Sequence, residues 1–165
     1  MPSPIVVRRA ASDEGEEIGL LTLAAYAGDR VVDEEYAKEL GDGPARVRDA
    51  HVLVAFAGLR MVGSVTLAEA GTPFAEIARP GELEVRMLGV DPAARRLGIA
   101  DHLMDAAEQR ARDRSLDAVV LSTAPHMIAA QALYERRAYV HQPARDWIVD
   151  ENLPLLAYRF ALQRD

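Results

Sequence analysis

Two short stretches hold residues whose types and spacing could do chemistry. The first is ELEVRMLGV at 82–90, which carries Glu84 and Arg86 inside an otherwise apolar segment. Leu83 to Val90 reads as a strand, closed by Asp91-Pro92. Alternation sets Leu83, Val85 and Met87 on one face and Glu84, Arg86, Leu88 and Val90 on the other. A strand covered on both faces is nearly continuously apolar. A carboxylate and a guanidinium in mid-strand therefore predict a face that opens onto a cleft. The plainer alternative is a Glu–Arg pair on an exposed face.

The second stretch is Arg95-Arg96-Leu97-Gly98-Ile99-Ala100. From Gly98 onward, Ile99, Leu103, Met104, Ala107 and Ala111 recur at helical spacing. The first turn of a helix has amide N–H groups without partners, and the macrodipole makes that end positive. An anion such as a diphosphate can dock there. Gly98 and Ala100 would let it approach the backbone, and Arg95 and Arg96 would add charge and forked donors. The competing reading is an ordinary helix start with exposed arginines.

Other elements must position these two stretches. Ile5 to Arg9 reads as a strand. Ser12 and Asp13 are placed to cap a helix running to about Ala27, and Tyr26 to Arg30 is a break. Asp33 opens a second helix through Leu40, which Gly41 to Pro44 ends. His51–Ala57 and Met61–Ala70 form a hairpin about Gly58, with a bulge expected at Gly63. Residues 71–81 form a loop with two prolines. After the helix that follows Gly98, Asp117 to Thr123 is a strand, so a parallel βαβ unit is expected. His126 to Arg137 is the last helix. Tyr139–His141 and Leu155–Leu162 are the last strands, separated by a loop that holds Trp147.

Composition bounds what this chain does. Half of its 165 residues are hydrophobic, enough for one core in one domain spanning 1–165. No apolar run approaches the roughly 18 residues of a membrane span. The N-terminus lacks a signal-peptide layout, and a cytoplasmic protein is expected. The absence of cysteine excludes disulfides, thiolate metal sites and a cysteine acyl-enzyme. Histidines at 51, 102, 126 and 141 have no ligand spacing, so no metal is expected. Ser122, His126 and Asp146 could be named a triad, yet Ser122 has no Gly-x-Ser-x-Gly elbow. Phosphate-loop and dinucleotide motifs are missing. The net charge of −7, without a basic stripe, speaks against nucleic acid and favours a cationic substrate such as an amine.

The strand, its turn, and Arg95, Gly98 and Ala100 resemble the pyrophosphate motif of the GNAT superfamily of acyl-CoA-dependent N-acetyltransferases. That motif has Arg or Gln, two residues, Gly, one residue, then Gly or Ala. AQALYERRAY at 130–139 resembles a second GNAT motif. Ala130, Leu133, Tyr134 and Glu135 match it, and Arg136 stands for a lysine. Met127, Ala138 and Tyr139 depart from its Asn, Gly and Phe. The element order also follows the family over nearly the whole chain.

The resemblance implies an α/β fold: a GNAT-type mixed, largely antiparallel sheet flanked by helices, with a βαβ cofactor-binding unit. It implies acetyl-CoA as co-substrate, held by Leu88, Gly89, Val90, Arg95, Arg96, Leu97, Gly98, Ile99 and Ala100, with no metal. The reaction would be direct attack by an amine in a ternary complex. A free amine titrates near pH 10, so a base is needed, and Glu84, directly or through water, corresponds to a catalytic glutamate of some members. Arg86 nearby would weaken it as a base. Tyr134 corresponds to the tyrosine that serves the leaving thiolate as general acid. A backbone N–H near Leu88 to Val90 could hold the thioester oxygen if the strand bulges. The acceptor would be a small-molecule or peptide amine, with neither nucleic acid nor membrane as partner, and a homodimer is common in the family. The alternative is a non-catalytic acyl-CoA-binding or protein-interaction module on the same fold. In the family the first helices border the acceptor site; Tyr26, Tyr36 and Trp147 are more simply read as packing residues.

Overall fold

The computed structural model describes residues 3–27, 32–149 and 152–163. Its strands are β1 Ile5–Arg9, β2 His51–Ala57, β3 Arg60–Glu69, β4 Glu82–Val90, β5 Ala118–Thr123, β6 Val140–His141, β7 Trp147–Val149 and β8 Leu153–Ala161. Its helices are α1 Gly15–Ala25, α2 Glu34–Gly41, α3 Gly43–Asp49, α4 Ile99–Asp113 and α5 Ile128–Arg136. The strands lie in the order β1-β2-β3-β4-β5-β8-β6, and β7 pairs with the start of β8. Only β4 and β5, which α4 connects, run parallel; the other pairings are antiparallel. This is the expected mixed, largely antiparallel sheet with one βαβ unit.

Strand alternation explains how the sheet is covered on both faces. On β2, Leu53 and Ala55 join the core cluster that contains Ile99, Leu103, Met104 and Ala107 of α4. Their neighbours Val52 and Val54 join a second cluster with Ile18 and Leu21 of α1. The α4 face needs close approach. A Cβ at Gly63 of β3 would lie 2.8 Å from Ile99 Cγ2 and 3.0 Å from Leu103 Cδ1. Gly63 therefore lets α4 settle onto the sheet, and the bulge expected at it lies alongside, where the β2–β3 register shifts between Ala55 and Phe56.

Three local readings are corrected. Neither Ser12 nor Asp13 caps α1. Its N-cap is Glu14, without a side-chain cap bond; the Glu14 carboxylate instead accepts Ala11 N–H at 2.6 Å and both terminal nitrogens of Arg8 at 2.8 Å. Gly41 to Pro44 does not simply end α2, because α3 follows at once. Asp42 closes one helix and caps the next by accepting Ala45 N–H at 3.1 Å, with Pro44 in the first turn where its missing N–H costs nothing. The loop before β8 contains β7. Of the break expected at 26–30, residues 28–30 lie outside the described residues.

Two features fix α5 against α4. Arg137 reaches Asp101, Asp105 and Glu108 on α4, and Glu108 also accepts the Tyr139 hydroxyl at 2.9 Å. The end of α5 is a Schellman turn: Tyr139 N–H donates to Tyr134 O at 2.9 Å and Ala138 N–H to Glu135 O at 3.0 Å. Ala138 sits in the left-handed region at φ 68°, a position that favours glycine. Ala138→Gly should raise stability by about 0.5–1 kcal/mol, the relieved strain exceeding the added chain entropy. Urea unfolding followed by circular dichroism measures this as a higher midpoint at unchanged m-value.

Candidate active site

The site begins where two strands part. The parallel ladder runs from Glu82↔Ala118 to Val85↔Leu121 and no further, although β4 continues to Val90. On its other side β4 pairs Arg86 with Thr66, slips, and resumes at Gly89↔Ser64. Met87 lies in the slip at φ 52°, so β4 carries a bulge there. The bulge resets the alternation. Leu88 and Val90 pack against the same cluster as Leu83 and Val85, not on the face of Glu84 and Arg86 where strict alternation puts them.

Two cavities occupy the opening. One, of about 780 Å³, is lined by Leu88, Gly89, Val90, Arg95, Arg96, Gly98, Ile99 and Ala100. These are the residues expected to hold an anionic cofactor, except Leu97, which is 58% exposed and off the wall. Arg96 and Gly98 have φ of 69° and 75°, and α4 starts at Gly98 with no side-chain cap. The first-turn amides of α4 therefore have no side chain competing with an anion. Asp101, in that same turn and on the cavity wall, is paired with Arg136 and Arg137, which offsets its repulsion. Arg95 also donates to Ala25 O at 3.0 Å, tying the turn to the end of α1.

The second cavity, of about 370 Å³, contains both expected catalytic residues, Glu84 and Tyr134. It shares Tyr26, Leu88, Met127, Ala130 and Leu133 with the first, so the two meet across β4. Tyr134 is 6% exposed. Its ring packs near Tyr139 and Tyr158, and its hydroxyl has no hydrogen-bond partner among the described residues. Burial pushes its pKa up to about 12. Glu84 is 1% exposed. Its Oε1 accepts three backbone N–H groups of the 71–81 loop, from Glu76 and Ile77 at 2.8 Å and Ala78 at 2.9 Å.

The remaining walls differ in character. Trp147, Val149, Leu153 and Leu155 of the β7–β8 hairpin supply an apolar side. Trp147 Nε1 donates to Ser122 Oγ at 3.0 Å, and Asp146 accepts from His141 at 2.9 Å and Ala157 N–H at 2.8 Å. Ser122 and Asp146 are thus committed elsewhere, and no triad forms with them. Opposite lie Asp33, Glu35 and Glu39 from the α2 region, with Glu76 and Glu84. Among the described residues Arg86 is the one guanidinium on this wall; its Nε meets Glu76 Oε1 at 2.7 Å and its Nη1 meets Glu39 Oε1 at 3.3 Å. One cavity is basic at its mouth and its neighbour is acidic. Tyr26, whose hydroxyl donates to Leu88 O at 3.3 Å, and Tyr36 line the site, where the sequence reading favoured packing. Glu39 and Glu76 were not singled out: one lies on a short helix and the other in a proline-flanked loop, with no motif or periodicity to mark either.

The chain has counterparts among known proteins. A sequence model of the acetyltransferase (GNAT) family matches residues 16–139. No curated protein matches the chain. Among solved structures, an acetyltransferase of the GNAT family from Staphylococcus aureus Mu50 superposes with TM-score 0.74 at 16% identity, over 97% of this chain and 100% of that one. PaiA N-acetyltransferase from Thermoplasma acidophilum, in complex with coenzyme A, gives 0.71 at 15%, over 95% and 99%. A GNAT family acetyltransferase from Brucella melitensis, in complex with acetyl-CoA, gives 0.69 at 17%, over 98% and 90%.

A buried ion cluster frames the acidic cavity and sets a pH dependence. Glu82 takes two bonds from Arg145, at 2.8 and 2.9 Å, and one from Arg159 at 2.9 Å. Arg145 also donates to Ile77 O at 2.7 Å. Burial alone would raise the Glu82 pKa, but these bonds and the Arg79 N–H outweigh it and bring it down to about 2 from 4.5. A depressed folded-state pKa contributes stability that is present above the unfolded value, here above pH 4.5, and lost as pH falls toward 2. The contribution is on the order of 3 kcal/mol. Urea midpoints should therefore fall between pH 5 and pH 2.5. Glu82→Gln should lower the midpoint at pH 7 and flatten its acid dependence.

Proposed function

Since the chain belongs to the GNAT acetyltransferase family, we propose that it transfers an acetyl group from acetyl-CoA to a primary amine by direct attack in a ternary complex. The observation that carries this reading is the pair of joined cavities with opposite charge, meeting at the point where β4 leaves β5. The uncapped start of α4 and the exposed Arg95 and Arg96 suit a diphosphate. The passage at Leu88 and Leu133 suits its narrower acylated arm. Relatives of the same fold have been solved with coenzyme A and acetyl-CoA, which supports the same ligand here.

The bound thioester supplies an activated acyl carbon; this chain's residues would then have three tasks. The bulge withdraws Met87 and Leu88 from register with β3, and β5 has already parted from β4. An amide of this segment would face the carbonyl oxygen as negative charge gathers there. The Tyr134 hydroxyl, protonated across the physiological range, meets the departing sulfur as a donor and acts as the general acid. A thiol titrates near 8.5, below this phenol, so the hydroxyl acts first as a hydrogen bond to the thiolate. The proton of the incoming ammonium passes to the carboxylate wall that Glu84 anchors on β4. The nitrogen–carbon bond forms, the carbon–sulfur bond breaks, and an amide and a free thiol result.

The acidic wall also selects the acceptor. With one guanidinium beside Asp33, Glu35, Glu39, Glu76 and Glu84 among the described residues, an acceptor with a second positive charge is favoured over one with a carboxylate. Calorimetry should show association with coenzyme A, and thiol release on an amine panel should show a lower KM for an alkyl diamine than for an amino acid of equal length. Coenzyme A binding without thiol release on any amine would instead indicate a non-catalytic binding module. Tyr134→Phe should lower kcat by about 10²-fold and leave the KM for acetyl-CoA unchanged; equal turnover would remove the acid role.

A further inference from the structure

The two carboxylates nearest the bulge, Glu84 and Glu76, are held in very different ways. Glu84 Oε1 takes three N–H groups at 2.8–2.9 Å, more donors than that oxygen has lone pairs. A proton arriving at this atom would have to displace the loop it holds. The first of those N–H groups belongs to Glu76 itself. Glu84 therefore sets the backbone from which the Glu76 side chain enters the cavity. Glu76 keeps 35% of its side chain exposed and shares one oxygen, Oε1, with Arg86 Nε at 2.7 Å. Arg86 is in turn held by Glu39 Oε1 and Phe74 O, both at 3.3 Å.

We propose that Glu76 is the group that takes the proton from the acceptor ammonium, and that Glu84 is a positioning residue that fixes Glu76 through the loop amides. The assignment rests on the acetyl-transfer reading above. Two protons leave the nitrogen. The first goes to Glu76 and on to solvent before attack, giving the neutral amine. The second leaves by the same carboxylate as the amide forms, one proton ends on the sulfur, and each turnover releases one net proton.

The surroundings of Glu76 suit this task. Partial burial raises its pKa above the ordinary carboxylate value; Arg86 pulls it down, and Glu84 and Glu39 push it up. Tyr36 of α2 is the other titratable group in electrostatic contact with it. A carboxyl raised in this way is closer to the pKa a base needs near neutrality. The acid limb of the rate profile should then lie above the usual glutamate range, with activity lost as pH falls through it.

The test combines thiol-release kinetics between pH 5 and 10 with amide hydrogen exchange on residues 74–80, for wild type, Glu76→Gln, Glu84→Gln and Glu84→Ala. Glu76→Gln should lose about 10²-fold in kcat and lose the acid limb, with the KM for acetyl-CoA unchanged. Glu84→Gln, whose amide oxygen still accepts the three N–H groups, should keep the acid limb in place and keep the exchange protection of residues 76–78. Glu84→Ala should lose both kcat and the exchange protection of residues 76–78. A null Glu84→Gln beside an active Glu76→Gln with its acid limb intact would overturn the assignment and make Glu84 the base. An unprotected 76–78 segment in wild type would overturn the positioning role. A wild type that turns over no amine would overturn the acetyl-transfer reading and the base assignment with it, while hydrogen exchange still reports on Glu84.

Discussion

Everything at this site depends on β4 having a partner on both edges for only part of its length. Parallel strands stay together while their ladders continue, and here the ladder to β5 stops at Val85↔Leu121. The backbone beyond it would be left with unsatisfied polar groups if it were simply buried. The bulge at Met87 and the cleft between the strands turn that cost into binding capacity. The strand beyond Val85 lines both cavities, with Leu88 common to the two. The left-handed φ of Met87, costly for a side chain of that size, is held by pairing with β3 on either side of the slip.

Charge is distributed to match this opening. The mouth near α4 has a bare helix start and arginines, and Asp101, its one acidic neighbour among the described residues, is paired with two guanidinium groups. The other cavity concentrates carboxylates around Arg86. The two cavities thus meet beside one central strand, at its bulge. The same carboxylates hold the architecture. Glu82 ties β4 to Arg145 and Arg159, and Glu84 ties it to the 71–81 loop. β4, which borders both cavities, is therefore also the strand that anchors this loop and the Arg145 and Arg159 side chains.

What was legible in the sequence was local. The strand, turn and helix from Leu83 to Ala111 could be read because alternation, Asp91-Pro92 and Gly98 are signals within a few residues of one another. Tyr134 and most of the residues that line the mouth near α4 stood out through two motifs with fixed spacing. Elements with overlapping or non-local signals were harder. Asp42 ends α2 and starts α3 together, so the stop hid the start. Glu14 spends its carboxylate on Arg8 and Ala11, which no capping pattern foretells. The three amides on Glu84 come from a loop six to eight residues away, closed by Arg145 from far along the chain. That closure is tertiary, and for this reason Glu76 carried no mark in the sequence.

The grip of Arg137 on Asp101, Asp105 and Glu108 has a mechanical meaning. It welds α4 and α5 into a single jaw, and the Glu108–Tyr139 bond extends the weld to the residue that leads into β6. Neither helix can tilt without breaking several charge-assisted bonds, of which the Arg137–Glu108 pair is the most sheltered. The facing wall is tied through the end of α1, where Arg95 donates to Ala25 O and Tyr26 donates to Leu88 O of the bulged strand.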